Sequence, residues 1–226
     1  MTPQLTTTGN LAESSGVKAI IYGAPGCGKT PLVSTASNAL YVAIERGQIS
    51  LKGTSVPAIE AYTLESFYQF FEWFDKSSEA RQYDTIFIDS ISHLCSLILE
   101  EELSKTSKGG AKVNGQAAYG EMASRFLKAM NKLYAVKDKN IIMLAQQDEK
   151  TDRVKPFFHG NEINVRIPHL FDGVFHLGMH NVPEVGERYS LQMRETPDTF
   201  ARCRFNVAAD YEAANLDYLL NKLNGV

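Results

Sequence analysis

The chain of 226 residues contains no run of about 18 consecutive apolar residues and no signal-peptide pattern. These absences predict a cytoplasmic protein with no membrane partner. Cysteine is scarce: Cys27, Cys95 and Cys203 follow no metal-ligand spacing, so free thiols in a reducing compartment are expected. Neither sign of charge predominates, since the formal net charge is only −3. The chain as a whole therefore does not attract nucleic acid, and any such contact must come from a local patch.

The composition is ordinary for a soluble globular protein, with 44% hydrophobic and 22% charged residues. Residues 1–16 are rich in Thr, Ser and Gly and predict a flexible arm. Residues 17–226 are long enough for a single α/β domain with a sizeable core. Apolar strand-like runs alternate with helix-like runs, which is typical of a mostly parallel central sheet flanked by helices. A helix is predicted over Leu64–Lys76, and Asp210 could cap a final helix.

A phosphate-binding loop follows the first apolar run, which ends at Tyr22. The loop matches the pattern G-x-x-x-x-G-K-T and consists of Gly23, Ala24, Pro25, Gly26, Cys27, Gly28, Lys29 and Thr30. Its glycines allow backbone N–H groups to turn inward around a polyphosphate. Lys29 would reach the outer phosphates, and the Thr30 hydroxyl would ligate Mg²⁺. A helix is predicted to follow, with Pro31 in its first turn. The alternative is a chance match in a glycine-rich turn.

Two carboxylates end predicted strands near this loop. Asp89 ends the buried run Ile86–Asp89 and can hold the water shell of Mg²⁺, as a Walker B residue does. The alternative is that Asp89 caps the following helix. Ser90 stands where many ATPases have a glutamate, so the residue that orients the attacking water must lie elsewhere. Glu45 ends another strand and is the candidate, because the carboxyl ends of parallel strands converge. Its alternative role is a surface ion pair with Arg46 or another neighbour.

Gln146 and Gln147 follow the apolar run Ile141–Ala145 and would reach the same edge of the sheet. A neutral amide there can donate to the outer phosphate or the attacking water and transmit its loss to the following loop. Adjacent side chains of an extended chain point to opposite faces, so we expect only one of the two to be this sensor. The alternative is that each is a solvated loop residue.

Together these segments resemble the RecA-like recombinase core, and most closely the small phage ATPases of single-strand annealing. The resemblance covers roughly residues 17–206. It implies a RecA-like P-loop NTPase fold with late antiparallel strands, ATP and Mg²⁺ as cofactors, a catalytic Glu45 and Gln147 as the phosphate sensor. It also implies assembly into a ring or filament, single-stranded DNA as a partner and a single-strand-binding protein as a further one. For a phage protein, the compartment would be the host cytoplasm.

The resemblance further implies two mobile DNA-binding loops. The first would span residues 104–116 and present Lys105, Lys108 and Lys112. The second would follow Gln147 and present Lys150, Arg153 and Lys155. Lysines can neutralise phosphates, and the aromatic pair Phe157–Phe158 could stack on exposed bases. Acidic neighbours weaken the second loop, whose aromatic pair could instead be buried at a subunit contact. The first loop could be merely solvated.

RecA-like ATPases usually complete their site with a basic residue from the next subunit. Three late arginines are candidates, and the sequence does not distinguish among them: Arg194, Arg202 and Arg204. The absence of a sizeable additional DNA-binding domain favours annealing or strand loading over strand exchange. Two rival functions stay open. One is a nucleotide switch or loader that acts on a protein partner, and the other is a small-molecule kinase.

Overall fold

The computed structural model describes residues 16–108, 114–150 and 152–225, together with Leu5, Thr7 and Gly9. Almost all of the predicted N-terminal arm lies outside these ranges. For residues 106–108 only the backbone is described. No helix within the described ranges combines the length and the apolar character needed to cross a bilayer.

Within the described part of the chain, nine strands form one mixed sheet. In chain order they are β1 Lys18–Gly23, β2 Ala39–Ala43, β3 Ala58–Glu60, β4 Thr85–Asp89, β5 Asn140–Gln146, β6 Gly173–Val182, β7 Gly186–Gln192, β8 Arg202–Cys203 and β9 Tyr211–Ala213. The spatial order is β3-β2-β4-β5-β1-β6-β7-β9, and β8 pairs with β6. The strands from β3 to β6 in this order run parallel, whereas β7, β8 and β9 are antiparallel to their neighbours. This confirms the predicted mostly parallel sheet with late antiparallel strands.

Helices cover both faces of the sheet. The α-helices are α1 Leu64–Lys76, α2 Ile91–Lys108, α3 Gly115–Tyr134, α4 Asn161–Leu170 and α5 Leu216–Asn224. Short 3₁₀ helices span Thr30–Thr35, Gln48–Leu51 and Glu79–Gln82. The predicted helix α1 has its expected bounds, because Thr63 and Ser66 form a reciprocal capping box at its start.

The structure corrects three expectations about helices. The segment after the phosphate loop forms only a six-residue 3₁₀ helix. The final helix is capped by Asn215, whose side chain accepts from the Tyr218 N–H at 2.9 Å, and not by Asp210. The predicted loop 104–116 is helical up to Lys108 and again from Gly115. Charge pairs between residues three and four apart stabilise a helix, and they extend α2 beyond the point where its apolar pattern ends.

Apolar residues pack on both faces of the sheet, and successive residues of β1 alternate between the two layers. Ile20 and Tyr22 join the cluster beneath α1, α2 and α3, whereas Ala19 and Ile21 join the cluster beneath α5. A parallel sheet covered on both faces needs near-continuous apolar strands. Such a sheet leaves the carboxyl ends of its strands at one edge, where the polar residues lie.

Lys18 is an exception in this core, because it is charged and only 1% exposed. Its Nζ donates to the main-chain oxygens of Gly16 (2.9 Å) and Lys139 (2.7 Å). Burial lowers the pKa of Lys18 to about 8, although Asp172 and Asp138 oppose the shift. Because an unfolded lysine has a pKa near 10.4, the unfolded chain binds more protons than the folded chain between these values. The contribution of Lys18 to stability therefore rises with pH across this window.

We expect the free energy of unfolding of the wild type, relative to that of a Lys18→Met variant, to increase by about 3 kcal/mol between pH 7 and about pH 10.5. Denaturant unfolding curves at several pH values measure this difference. The variant lacks the ammonium group, so its own pH dependence reports every other titrating group. A constant difference between the two proteins across this range would contradict the assigned shift.

Candidate nucleotide-binding site

A cleft of about 720 Å³ opens where β1, β2, β4 and β5 end. Because these strands are parallel, the residues that follow them meet at one edge of the sheet. The predicted phosphate loop, both carboxylates and both glutamines line the cleft. Its lining includes Gly23, Pro25, Gly26, Gly28, Lys29, Thr30, Pro31, Glu45, Asp89, Ser90, Gln146, Gln147, Lys150 and Phe157. The structure thus brings together the residues that were predicted from the sequence to bind and hydrolyse a nucleotide.

The phosphate loop is closed on itself by Lys29. Its Nζ donates to the main-chain oxygens of Gly23 (2.7 Å) and Ala24 (2.9 Å). Gly26 and Gly28 have φ angles of 75° and 79°, a region that favours glycine. A Cβ at Gly26 would meet no atom within 4 Å, so this turn is open to a ligand.

Tyr189 on β7 packs against the other side of the same loop. A Cβ at Gly28 would lie 2.9 Å from the Tyr189 hydroxyl, so the loop and this side chain are in close contact. Burial and the neighbouring Cys27 raise the pKa of Tyr189. Cys27 is half-buried, whereas Cys95 and Cys203 are buried. No pattern in the sequence indicated Tyr189, because β7 is distant from the loop along the chain.

Thr30 and Asp89 contact each other directly. Thr30 Oγ1 donates to Asp89 Oδ2 at 2.6 Å, and the Tyr41 hydroxyl donates to the same oxygen at 2.9 Å. Asp89 is only 3% exposed, and burial raises its pKa while the hydroxyl of Thr30 opposes the shift. A hydroxyl beside a buried carboxylate is the oxygen donor set that suits Mg²⁺, so these residues fit the ion.

Ser90, which follows Asp89, performs the capping role at the start of α2. Its Oγ accepts from the His93 N–H at 3.3 Å. The same hydroxyl donates to Glu45 Oε2 at 2.9 Å. The side chain of Asp89 is therefore available to the cleft, and the alternative in which Asp89 caps the helix receives no support from this geometry.

Glu45 is held at the mouth of the cleft by neutral donors. Besides Ser90, Gln146 Nε2 lies 3.4 Å from Glu45 Oε2. The main-chain N–H groups of Ile44 and Glu45 both donate to the Asp89 carbonyl, at 2.6 and 3.2 Å, so the ends of β2 and β4 are fixed to each other. Arg46 does not pair with this carboxylate, since its guanidinium lies 4.7 Å above the Tyr62 ring.

Gln147 faces a different neighbour from Gln146, in agreement with the expected alternation. Its Oε1 lies 3.2 Å from His176 Nε2. A chain of hydrogen bonds continues from His176 to His180 and Ser190. Burial lowers the pKa of His176 to about 4, with His180 and Lys29 adding to the shift, and it also lowers the pKa of His180. Both imidazoles are therefore neutral near pH 7.

The sequence profile of the AAA domain family matches residues 15–205. The protein belongs to the AAA domain family. No curated protein matches the chain. The fold of this AAA domain is similar to three solved structures: an ATPase of the type III secretion system of pathogenic bacteria (15% identity, 73% of this chain and 52% of that chain, TM-score 0.50), a KaiC-like protein from Pyrococcus horikoshii OT3 (12%, 86% and 87%, 0.45) and the flagellar accessory protein FlaH from Methanocaldococcus jannaschii (14%, 79% and 78%, 0.42). The fold is of the RecA-like P-loop type.

In the AAA domain, the segment after Gln147 leaves the cleft and returns to it. The Asp148 N–H donates to the Lys155 carbonyl, and the Phe157 N–H donates to the Gln146 carbonyl, both at 2.8 Å. The segment between these bonds forms a loop whose two ends lie at the cleft. Lys150 and Phe157 line the cleft itself.

The structure describes the side chains of four of the six predicted DNA-binding basic residues, and three of these four have acidic partners. In the second loop, Arg153 pairs with Glu195 at 2.8 Å and Lys155 lies 3.8 Å from Asp148. On α2, Lys105 lies 2.8 Å from Glu101 and 3.1 Å from Glu102, so it belongs to a helix surface and not to a loop. Lys112 and the side chain of Lys108 lie outside the described part of the chain.

The aromatic pair of the second loop divides between the cleft and the core. Phe158 is 2% exposed, and its ring centroid lies 5.7 Å from that of Phe126 on α3. The suggestion that the pair is buried at a subunit contact is therefore wrong for Phe158. Phe157 remains at the cleft.

The three candidate arginines of the AAA domain all donate to main-chain oxygens of their own chain. The bonds are Arg194 to Cys203 (2.8 Å) and Phe205 (3.2 Å), Arg202 to Pro168 (2.7 Å), and Arg204 to His169 (2.7 Å). Arg194 and Arg202 are half-buried, whereas Arg204 is exposed and also lies 3.4 Å from Asp172. None of them lines the cleft.

Proposed function

We propose that the protein is an ATP-dependent, single-stranded-DNA-binding ATPase that acts in DNA recombination, of the kind that phages use for single-strand annealing. In this proposal, residues 17–226 form a single ATPase domain that assembles into a ring or filament. The observation that carries the proposal is the connection between the cleft and the second loop. Gln147, at the cleft, is followed directly by a segment that carries Lys150 and whose return is bonded to the Gln146 carbonyl.

The residues around the cleft would perform the hydrolysis. Lys29 would exchange its carbonyl contacts for the outer phosphates of ATP, and Thr30 and Asp89 would hold Mg²⁺. When bound, Mg²⁺ supplies positive charge that neutralises the phosphates. Glu45, positioned by Ser90 and Gln146, would orient the attacking water and accept its hydrogen bond.

Gln147 would couple the state of the nucleotide to DNA affinity. Its carboxamide would contact the outer phosphate, and release of that phosphate would free the loop that follows. Lys150 would contribute to phosphate neutralisation, and Phe157 offers a ring on which a base can stack. A basic residue of the next subunit would complete the site, and Arg204 is the most accessible of the three candidates.

The test is ATP turnover with and without single-stranded DNA. We expect turnover to rise severalfold with single-stranded DNA and not with metabolites. A small-molecule kinase would instead show turnover that depends on a metabolite acceptor. Because phosphate contacts release counterions, this stimulation should weaken steeply as salt increases. Lys150→Ala should reduce the stimulation, whereas Lys128→Ala, at an exposed position on α3, should leave it unchanged. If DNA neither stimulates turnover nor is retained with ATP and Mg²⁺, the recombination role is wrong.

One observation favours a second candidate, a nucleotide switch or loader that acts on a protein partner. Arg153 and Lys155 are paired with acidic residues of the same chain, which reduces the charge that the second loop offers to DNA. This alternative predicts ATP binding and slow turnover that DNA does not change.

A further inference from the structure

Strand β6 presents two histidines on one face with a glycine between them. Alternate positions of a strand face the same side of the sheet. On β6 these positions are His176, Gly178 and His180. A Cβ at Gly178 would lie 3.1 Å from His176 Cε1. The glycine therefore leaves the space in which the two imidazoles meet, with His176 Nδ1 2.9 Å from His180 Nε2.

The hydrogen bonds of this group have one consistent direction. Gln147 Oε1 can only accept, so His176 Nε2 carries the proton and donates to it over 3.2 Å. His176 Nδ1 then accepts from His180 Nε2–H. His180 Nδ1 in turn accepts from the Ser190 hydroxyl at 2.9 Å. Each neutral imidazole donates once and accepts once, so the chain of bonds fixes both tautomers.

Packing restricts the rotation of these rings. The Tyr22 ring lies 5.1 Å from His176, and the Tyr211 ring lies 5.3 Å from His180, measured between centroids. Ser190 is only 4% exposed, so the end of the chain of bonds is shielded from water. His176 is thus held from its ring face and from both ring nitrogens.

This arrangement determines which end of the Gln147 carboxamide faces the cleft. His176 occupies the oxygen, so the amide nitrogen with its two N–H donors is the end left for a ligand. Phosphate oxygens only accept hydrogen bonds, and a carboxamide turned the other way would set its own oxygen against them. The orientation that His176 imposes is the one that suits an anionic ligand.

We propose that His176 is a positioning residue that holds the Gln147 amide nitrogen toward the outer phosphate of ATP, and that His180 and Ser190 fix the tautomer of His176. This inference rests on the proposed function, in which Gln147 contacts that phosphate. It assigns a role to β6 and β7, which contribute no lining residue to the cleft.

The experiment is a double-mutant cycle on nucleotide affinity. Equilibrium binding of a non-hydrolysable ATP analogue and of ADP, each with Mg²⁺, is measured for the wild type, His176→Phe, Gln147→Ala and the double variant. Loss of one oriented hydrogen bond should weaken binding of the ATP analogue about tenfold in His176→Phe, with ADP affinity unchanged. The double variant should bind no more weakly than Gln147→Ala, because His176 acts only through Gln147.

Two further variants separate positioning from a general loss of structure. Ser190→Ala keeps both histidines and removes only the donor that fixes the tautomer of His180, so it should weaken binding of the ATP analogue by a smaller factor than His176→Phe does. His169→Phe makes the same substitution at an exposed position of α4 and should change neither affinity. Equal weakening of ATP-analogue and ADP binding by His176→Phe would overturn the inference.

The outcomes also separate this inference from the proposed function. If Gln147→Ala leaves the ATP analogue bound as tightly as in the wild type, the sensor role of Gln147 fails, and the proposed coupling fails with it. If Gln147→Ala weakens the analogue and His176→Phe does not, only the positioning role of His176 is wrong. Additive losses in the double variant would likewise reject action through Gln147.

Discussion

Glu45→Gln is expected to lower kcat for ATP hydrolysis by about 10³-fold, within the range that general bases contribute. The substitution keeps the size of the side chain and an oxygen that can accept from Ser90, so the cleft should keep its shape. It removes the negative charge that orients and polarises the attacking water. ATP affinity, measured separately by equilibrium binding, should change by no more than about twofold, since the lost interaction belongs to the transition state.

Glu72→Gln is the matched control, because Glu72 is exposed on α1 and does not line the cleft. It should leave kcat unchanged. An unchanged kcat in Glu45→Gln as well would show that Glu45 is not the catalytic residue, and it would favour the nucleotide switch over the ATPase.

Asp89→Asn is expected to lower kcat/KM by about 10²-fold at low Mg²⁺, because a neutral amide holds a divalent cation much less strongly than a carboxylate does. Titration of activity with Mg²⁺ should show a large increase in the concentration that gives half-maximal rate. Asn can still accept the hydrogen bonds of Thr30 and Tyr41. The fold should therefore be preserved.

The raised pKa of Asp89 predicts how Asp89→Asn should change the stability of the protein. Burial raises this pKa above that of an unfolded aspartate, so ionised Asp89 destabilises the nucleotide-free protein at pH 7. Thermal unfolding of Asp89→Asn should accordingly occur at the same temperature as the wild type or higher. Tyr41→Phe provides the contrast, because it removes a donor to the same oxygen and keeps the charge. If Asp89→Asn and Tyr41→Phe alter the Mg²⁺ dependence equally, the charge of Asp89 is not what holds the ion.

Much of the fold could be predicted because its signals are local. A strand covered on both faces must be apolar along its length, so strands β1, β2, β4 and β5 could be predicted from apolar runs such as Ile86–Asp89. Helix α1 has a capping box, which fixes its start. The end of α2 was missed because its last turns lack an apolar stripe, and Lys105 with its two glutamates stabilises them through charge. The amino-acid composition of these last turns is typical of a loop, and it led to the prediction of one.

The residues of the candidate site also fall into two groups, those with a local signal in the sequence and those without one. Glu45, Asp89 and Gln147 were found because parallel strands end at one edge, so a polar residue after an apolar run is a local signal. His176 and Tyr189 were missed because their contacts depend on β6 lying beside β1 and on β7 folding back over the phosphate loop. The spacing His176–Gly178–His180 is visible in the sequence. Its meaning requires knowing that the three residues share one face of a strand next to the nucleotide cleft.

Cys27 offers a site in the phosphate loop that a thiol-specific reagent can label. The other two thiols of the chain are buried in the core, whereas Cys27 is half-exposed beside Lys29 and Tyr189. A thiol-directed fluorophore should therefore attach at this position in the natural sequence, without engineered cysteines. Cys27 does not line the cleft itself, so the rate of alkylation would follow the conformation of the loop when nucleotide binds.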